Sequence, residues 1–272
     1  DPDPMKGYSP FVFEKNYENV ARAEVVNQKE EAQIPERALE WLDKIVELTK
    51  EEGVDLIFLK TPNGNEERQM LYNSMTRYAE EKEIPFLNLN TVLDGEAHIN
   101  IIQAEKVTQA VGEYLVSRYD VASKEERTEV VQESFEYSAA LFQSYYSKCK
   151  LLSVNQFEEY LEFAKGEQYL AILCKSYNEK DSVAKIIIYD GGNLVVDEAI
   201  TKEQGGLLDK TLDIEGMSLQ LCAGEDTSIL IDGVDYSMHT SGYNFVLYDK
   251  TLGEFVDMAS FDECNQKKME RK

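Results

Sequence analysis

Histidine is nearly absent: only His98 and His239 occur in 272 residues. His239, in Ser237-Met-His-Thr-Ser-Gly, has no second histidine or carboxylate at ligand spacing and reads as a loop or hairpin residue. Cysteine is equally sparse. Cys149, Cys174, Cys222 and Cys264 stand far apart with no C-x-x-C, which leaves zinc-ribbon and thioredoxin-type chemistry without a motif. Four cysteines in a chain this long do not make a disulfide scaffold, and no N-x-[ST] acceptor occurs. A bacterial origin fits both facts. Neither a metal nor a cofactor is expected. Basic residues number 28 against 52 acidic ones, a formal charge of −24. The excess is even, with 24 acidic and 13 basic residues in 1–120 and 28 and 15 in 121–272, so it is not an acidic tail. Such a surface repels phosphate backbones and anionic lipid, which argues against nucleic-acid partners and membrane-surface binding. No window approaches eighteen consecutive apolar residues, so no membrane span is expected.

What is present is a globular composition, 43% hydrophobic, enough for one large domain or two medium ones. The opening Asp1-Pro-Asp-Pro-Met-Lys-Gly resembles neither a signal peptide nor an initiation site, which suggests a chain cut from something longer. Two periodicities alternate up to residue 120. Ala38, Leu39, Leu42, Ile45, Val46 and Thr49 recur at helical spacing between Pro35 and Gly53, a suitable first position and stop. The run Val54-Asp-Leu-Ile-Phe-Leu reads as a buried strand, Glu66 to Glu83 as a helix, Ile84-Pro-Phe-Leu-Asn-Leu-Asn as a strand, and 102–117 as a helix. This is the grammar of a parallel α/β sheet, with parallel strands expected at 54–59 and 85–89. Two parallel strands cannot make a core. Either Phe11-Val-Phe and Val25-Val26 add strands, or part of the domain lies before residue 1. The second is favoured, because the first 33 residues show no strand–helix alternation.

From Ser123 the pattern changes. Ser123-Lys-Glu-Glu126 reads as a capping box opening a helix to about Lys150, and Ser153-Val-Asn-Gln156 opens a second one, Phe157 to Ala164, stopped by Gly166. Beyond it lie about seven short apolar runs. Asp190-Gly-Gly-Asn193 and Asp232-Gly233 mark tight hairpins. The expected organisation is an α/β domain over 1–120, a helical connector over 121–166, and a mainly antiparallel β-sandwich over 167–265.

His98 is the candidate for chemistry. It lies in Asp94-Gly-Glu-Ala-His98-Ile-Asn100, after an apolar strand and directly before a helix. Loops at the carboxyl ends of parallel strands carry the chemistry of α/β folds. A histidine there, beside acidic residues, can take the proton of a nucleophile; it can equally close the loop or cap the helix.

The run His98-Ile-Asn100-Ile-Ile-Gln103-Ala104-Glu-Lys106-Val-Thr108 resembles the closing block of SGNH/GDSL-type hydrolases of Gram-positive cell-surface loci. That block reads His-Leu-Asn, two residues, Gly-Ala, one residue, Lys, one residue, Thr. Asp43 to Pro62 and Tyr72 to Glu81 are also similar to this family, whose broad group includes DltD-like teichoic-acid D-alanylation proteins and polysaccharide acetylation proteins. The resemblance covers roughly 5–120. It implies a partial flavodoxin-like fold, with His98 as catalytic histidine and an aspartate three residues earlier to orient it. Position 95 is Gly here, with Asp94 and Glu96 on either side, and Gln103 replaces the usual Gly. The family's nucleophile serine and oxyanion-hole residues belong to the first half of such domains. Nothing in 1–60 reads that way, and Ser9 is no nucleophile elbow. The chain is therefore expected to hold a base without a nucleophile and to be inert alone.

The C-terminal part carries a second resemblance. Thr227 to Ser237, Gly242-Tyr-Asn-Phe-Val-Leu-Tyr-Asp249 and Glu254-Phe-Val-Asp-Met-Ala-Ser-Phe-Asp262 look like the interleukin-like EMT inducer domain, a compact β-sandwich found in cytokine-like proteins, glycan-modifying enzymes and bacterial surface proteins. Some members bind carbohydrate, which implies stacking faces on Tyr236, Tyr243 or Tyr248. Asn244, Asp249 and Asp262 read alternatively as turn-closing residues, with Phe245, Leu247, Phe255 and Phe261 as core.

Together the resemblances imply part of a bacterial cell-envelope esterase or O-acyl-transfer protein. It would act on cell-surface polysaccharide outside the cytoplasm, in the envelope or secreted, with a membrane-bound O-acyltransferase as a further partner. The other reading is a non-catalytic surface or carbohydrate-binding protein whose α/β portion is a degenerate scaffold.

Overall fold

The computed structural model describes residues 9–12, 29–61, 66–89, 100–121, 128–262 and 268–272. The chain forms two compact units that divide between Gln132 and Glu133, and no described helix is long and apolar enough to cross a membrane.

The first unit is helix α1 (Glu36–Glu51), strand β1 (Phe58–Lys60), α2 (Glu66–Glu81), β2 (Phe86–Asn88) and α3 (Ile101–Arg118). Helix α1 starts after Pro35, whose carbonyl accepts the amides of Ala38 and Leu39. It ends at Gly53, whose φ of +65° a side chain would resist. The strands pair in parallel, Phe58 opposite Phe86, Leu59 opposite Leu87 and Lys60 opposite Asn88. The ladder is shorter than the apolar runs, since residues 54–57 lie outside it. Alternation sorts the two faces. Phe58 and Phe86 meet Val46 of α1 and Tyr78 and Ala79 of α2 on one face. Leu87 and Leu89 meet Val107, Ala110 and Val111 of α3 on the other.

The second unit begins with α4 (Glu129–Ser153, counted here from Glu133) and α5 (Phe157–Ala164). The sequence expectation placed 121–166 as a connector; from Glu133 this helical stretch belongs to the same unit as the sheets. The expected cap at Ser123 lies outside the described residues. Ser153 is not a cap: it ends α4, donating to the Lys150 carbonyl at 2.7 Å, and Gln156 precedes α5 instead.

Ten strands come next among the described residues, against about seven expected: β3 (Tyr169–Lys175), β4 (Val183–Asp190), β5 (Asn193–Thr201), β6 (Leu208–Ile214), β7 (Met217–Ala223), β8 (Thr227–Ile231), β9 (Val234–Asp235), β10 (Tyr243–Asp249), β11 (Glu254–Asp262) and β12 (Lys268–Arg271). The sequence pattern does not reveal β6 and β12. Both are sheet-edge strands rich in charge, Leu-Asp-Lys-Thr-Leu-Asp-Ile and Lys-Met-Glu-Arg, and edges need only one apolar face. Both expected hairpins form, at Gly191-Gly192 and Asp232-Gly233. A third at Glu215-Gly216 has the same positive φ at both turn residues.

The strands make a six-stranded sheet ordered β12-β11-β10-β3-β4-β5 and a four-stranded sheet ordered β6-β7-β8-β9, all antiparallel. Between the sheets Leu170, Ile172, Ile186, Ile188 and Val246 pack on Leu219, Leu221, Ile229 and Ile231. On the outer face of the larger sheet, Phe245, Leu247, Ala259 and Phe261 pack on Leu151, Val154, Tyr160 and Ala164 of the helical segment. The alternation along β10 thus sends Phe245 and Leu247 toward helix and Val246 toward the other sheet. Central strand β3 is buried at every position because both its faces are covered.

The last strand locks the helices down. Arg271, with Nε 3.0 Å from Asp257 Oδ2, donates to the carbonyls of Leu151, Leu152 and Val154 at 2.5–2.8 Å. They lie at and just beyond the C-terminal end of α4, where carbonyls run out of intrahelical donors. Burial pushes the Asp257 carboxyl above its ordinary range, with Arg271 opposing. Residues 133–272 should therefore melt cooperatively when expressed alone, whereas 165–265 should not. The shorter piece loses the helical cover and Arg271, and one uncompensated buried partner alone costs about 3–5 kcal/mol. A cooperative thermal transition of 165–265 matching that of 133–272 would refute this.

Candidate functional site

Both parallel strands of the first unit end on the same side, at Lys60 and Asn88, because they run in the same direction. At that edge Lys60 is buried. Its Nζ donates to Gln69 Oε1 at 2.7 Å and lies 4.2 Å from the centroid of the Tyr72 ring. Gln69 Nε2 donates in turn to Asn73 Oδ1 at 2.9 Å, and Asn73 Nδ2 to the Glu30 carbonyl at 2.8 Å.

Asp94, Glu96 and His98 lie outside the described residues. The start of α3, just beyond them, is held by side chains. Asn100 is its N-cap: Asn100 Oδ1 accepts the Gln103 amide at 3.0 Å, and Gln103 Oε1 accepts the Asn100 amide at 3.0 Å. The next amide, Ile101, donates to the Phe11 carbonyl at 3.0 Å. The reciprocal box satisfies two donors at the helix start and gives Gln103, where the resembled block has Gly, a physical role. The helix origin two residues after His98 is thus pinned by its own side chains.

The three tyrosines are half-buried and spent on packing. Tyr236 and Tyr248 both meet Phe255, at 4.4 and 5.2 Å between ring centroids, on the side facing the smaller sheet. Tyr243 lies on the helical side with Phe157 at 4.6 Å. The structure therefore brings two of them together and separates the third.

A polar cavity of about 360 Å³ has no counterpart among the sequence expectations. His239, Thr240, Ser241, Ser260, Phe261, Asp262 and Glu270 line it at the ends of β10, β11 and β12. His239 Nε2 lies 2.8 Å from Glu270 Oε2. The loop that carries His239 is held by buried Asn244. Its Oδ1 accepts the amides of Met238 and His239 at 2.9 and 3.0 Å, and its Nδ2 donates to Thr227 Oγ1 and the His239 carbonyl at 2.7 and 2.8 Å. Gly242 turns the chain into β10 with φ +81°, 2.7 Å from the Phe261 carbonyl at the place a Cβ would occupy. The legible signal is a polar Asn in an otherwise apolar strand. The cavity needs β12, which the sequence pattern hides. Asp249 also closes a turn, its Oδ1 accepting the amides of Thr251 and Leu252 at 2.9 Å.

Among the described residues no group of three or more His, Cys, Asp or Glu is placed to hold a metal ion. Cys174 is buried, which pushes its thiol well up and leaves no reactive thiolate. Comparison of the chain with protein-family models, curated proteins and solved structures finds no match.

Asn244→Ala removes four hydrogen bonds, among them the acceptor of the Met238 and His239 amides. It should cost about 2–4 kcal/mol at about 1 kcal/mol per bond, measured by denaturant unfolding of the second unit. Loss of less than about 0.5 kcal/mol, the low end for a single bond, would mean the loop is held by something else.

Proposed function

We propose that residues 9–132 are part of an SGNH-type esterase or O-acyl-transfer domain acting on bacterial cell-envelope polysaccharide, and that residues 133–272 are its accessory β domain. The parallel pairing of β1 and β2, with α3 opening from an Asn100–Gln103 capping box two residues after His98, carries this reading. A loop between a parallel strand and the next helix is where such folds hold a general base. His98 takes the nucleophile's proton, and Asp94 or Glu96 orients the imidazole. The serine and oxyanion hole come from outside this chain, as the resemblance of residues 5–120 implies. A membrane-bound O-acyltransferase is the natural acyl source if the reaction is a transfer.

The 272-residue chain should show no hydrolysis of p-nitrophenyl acetate above that of its His98→Ala variant. In the whole gene product, His98→Ala should reduce turnover by about two to four orders of magnitude, the usual contribution of a general base. Asp94→Asn and Glu96→Gln identify the orienting carboxylate. Histidine-dependent hydrolysis by the chain alone, or unchanged turnover in the whole His98→Ala protein, defeats the proposal.

The polar cavity at His239 favours a second reading, a carbohydrate-binding role without catalysis. Its hydroxyls and carboxylates suit a polyol, whereas the tyrosines are engaged in packing. On a glycan array a His239→Ala/Glu270→Ala variant should lose binding if the cavity is the site and retain it if Tyr236, Tyr243 or Tyr248 supply the contacts. A silent array discards the reading.

A further inference from the structure

Strand β12 is four residues long and stands at the outside of the six-stranded sheet among the described residues. It pairs antiparallel with β11, Ala259 opposite Arg271, Ser260 opposite Glu270 and Phe261 opposite Met269. Side chains on a strand alternate between faces, so this short segment reaches both sides of the sheet. Met269 packs with Ala259 and Phe261 in the core under the helices, and Arg271 shares that face. Glu270 shares the opposite face with Ser260, and both line the His239 cavity.

The two faces are held with unequal strength. On the helical side, the Arg271 guanidinium bonds to the carbonyls of Leu151, Leu152 and Val154 and to the Asp257 carboxyl, whose side chain is 4% exposed. It also stands 5.9 Å from the centroid of the Tyr160 ring of α5. On the cavity side, Glu270 Oε2 meets His239 Nε2 at 2.8 Å, but both side chains are half-exposed, and such a pair contributes little by itself. The cavity walls differ as well. The His239 loop is preset by Asn244, which ties it to Thr227 of β8. Glu270 is placed by wherever β12 sits.

We propose that β12 is a two-sided latch, through which Arg271 at the end of α4 controls closure of the His239 cavity on the far side of the sheet. Arg271 is not among the residues that line that cavity; it acts through the strand. If it leaves the α4 carbonyls, the four residues peel from β11 and Glu270 leaves His239. The coupling is reciprocal. A ligand that grips Glu270 together with His239 seats Arg271 more firmly, and whatever loosens the end of α4 opens the cavity. The latch acts on the cavity of the carbohydrate reading, but it is a property of the protein without a ligand.

The test uses the unliganded 272-residue chain and reads the two faces separately. The His239 ring-carbon NMR signals report the cavity side, identified among the two histidines by their loss in His239→Ala. Hydrogen exchange of the amides at 150–154 reports the end of α4. Arg271→Lys keeps the charge and loses the fork that reaches three carbonyls. It should move the His239 signals toward their position in Glu270→Gln, where the contact is removed directly, and speed exchange at 150–154 by about tenfold. Glu270→Gln should speed the same amides by about twofold, because the exposed pair is the weaker side. In the double variant Arg271→Lys/Glu270→Gln the His239 signals should match those of Glu270→Gln alone. Unmoved His239 signals in a folded Arg271→Lys protein overturn the proposal. If that variant does not fold, Glu270→Gln and His239→Ala decide from the other face: faster exchange at 150–154 in both supports the latch, and unchanged exchange in either overturns it. Glycan binding plays no part in these readouts, so a silent array and a failed latch are separable.

Discussion

A β-sheet has two faces and two edges, and apolar side chains on either face must be covered before the sheet is stable. Both units are organised by this constraint. In the second, the six-stranded sheet meets the four-stranded sheet on one side and helices α4 and α5 on the other, so β3 and the middle of β10 are buried throughout. Everything else in that unit serves the double cover. The tight hairpins fold the smaller sheet back, and Arg271 ties the end of α4 to the last strand.

The first unit meets the same constraint only in part. Its two strands have helices on both faces, yet Trp41, Ile45 and Leu48 of α1 and Leu59 of β1 stay exposed. Its order comes from polar contacts at the helix ends and strand edge: the Asn100–Gln103 box, the Lys60–Gln69–Asn73 chain, and the Asp43–Tyr78–Lys82 cluster. The Asp43 contacts hold its carboxyl below the usual range, with Lys82 the largest cause and Tyr78 next. The same contacts help raise the Tyr78 hydroxyl to about 12, after desolvation. Exposed pairs of this kind stabilise weakly. They orient the helices.

The polar groups near the two sites differ in kind. Asn244 is buried and makes four hydrogen bonds, so the His239 loop is preset. At the carboxyl edge of β1 and β2, Lys60 is held by a glutamine and an aromatic face, a fixed positive group beside the start of the segment that leads to His98.

Much of the local structure is legible because it depends on local physics. Helical spacing between Pro35 and Gly53 marks α1, the apolar runs near Phe58 and Phe86 mark the parallel strands, and Asp190-Gly-Gly-Asn193 marks a hairpin. Phe245 and Leu247 alternate against Val246 by the period of a strand. By contrast, β6 and β12 carry charges that mask them, since an edge strand needs apolar residues on one face only. Ser153 has the type of a cap, but it is the last residue of α4 and its hydroxyl donates back to the Lys150 carbonyl. Tyr236, Tyr243 and Tyr248 have the type of stacking residues, yet packing against Phe255 and Phe157 claims their rings. The sequence by itself determined element types, turn positions and the two faces of each strand, because these depend on spacing along one chain. Tertiary structure alone decided which face meets helix, which strands lie at sheet edges among the described residues and which polar residues converge at a cavity, because those depend on segments that are distant along the chain.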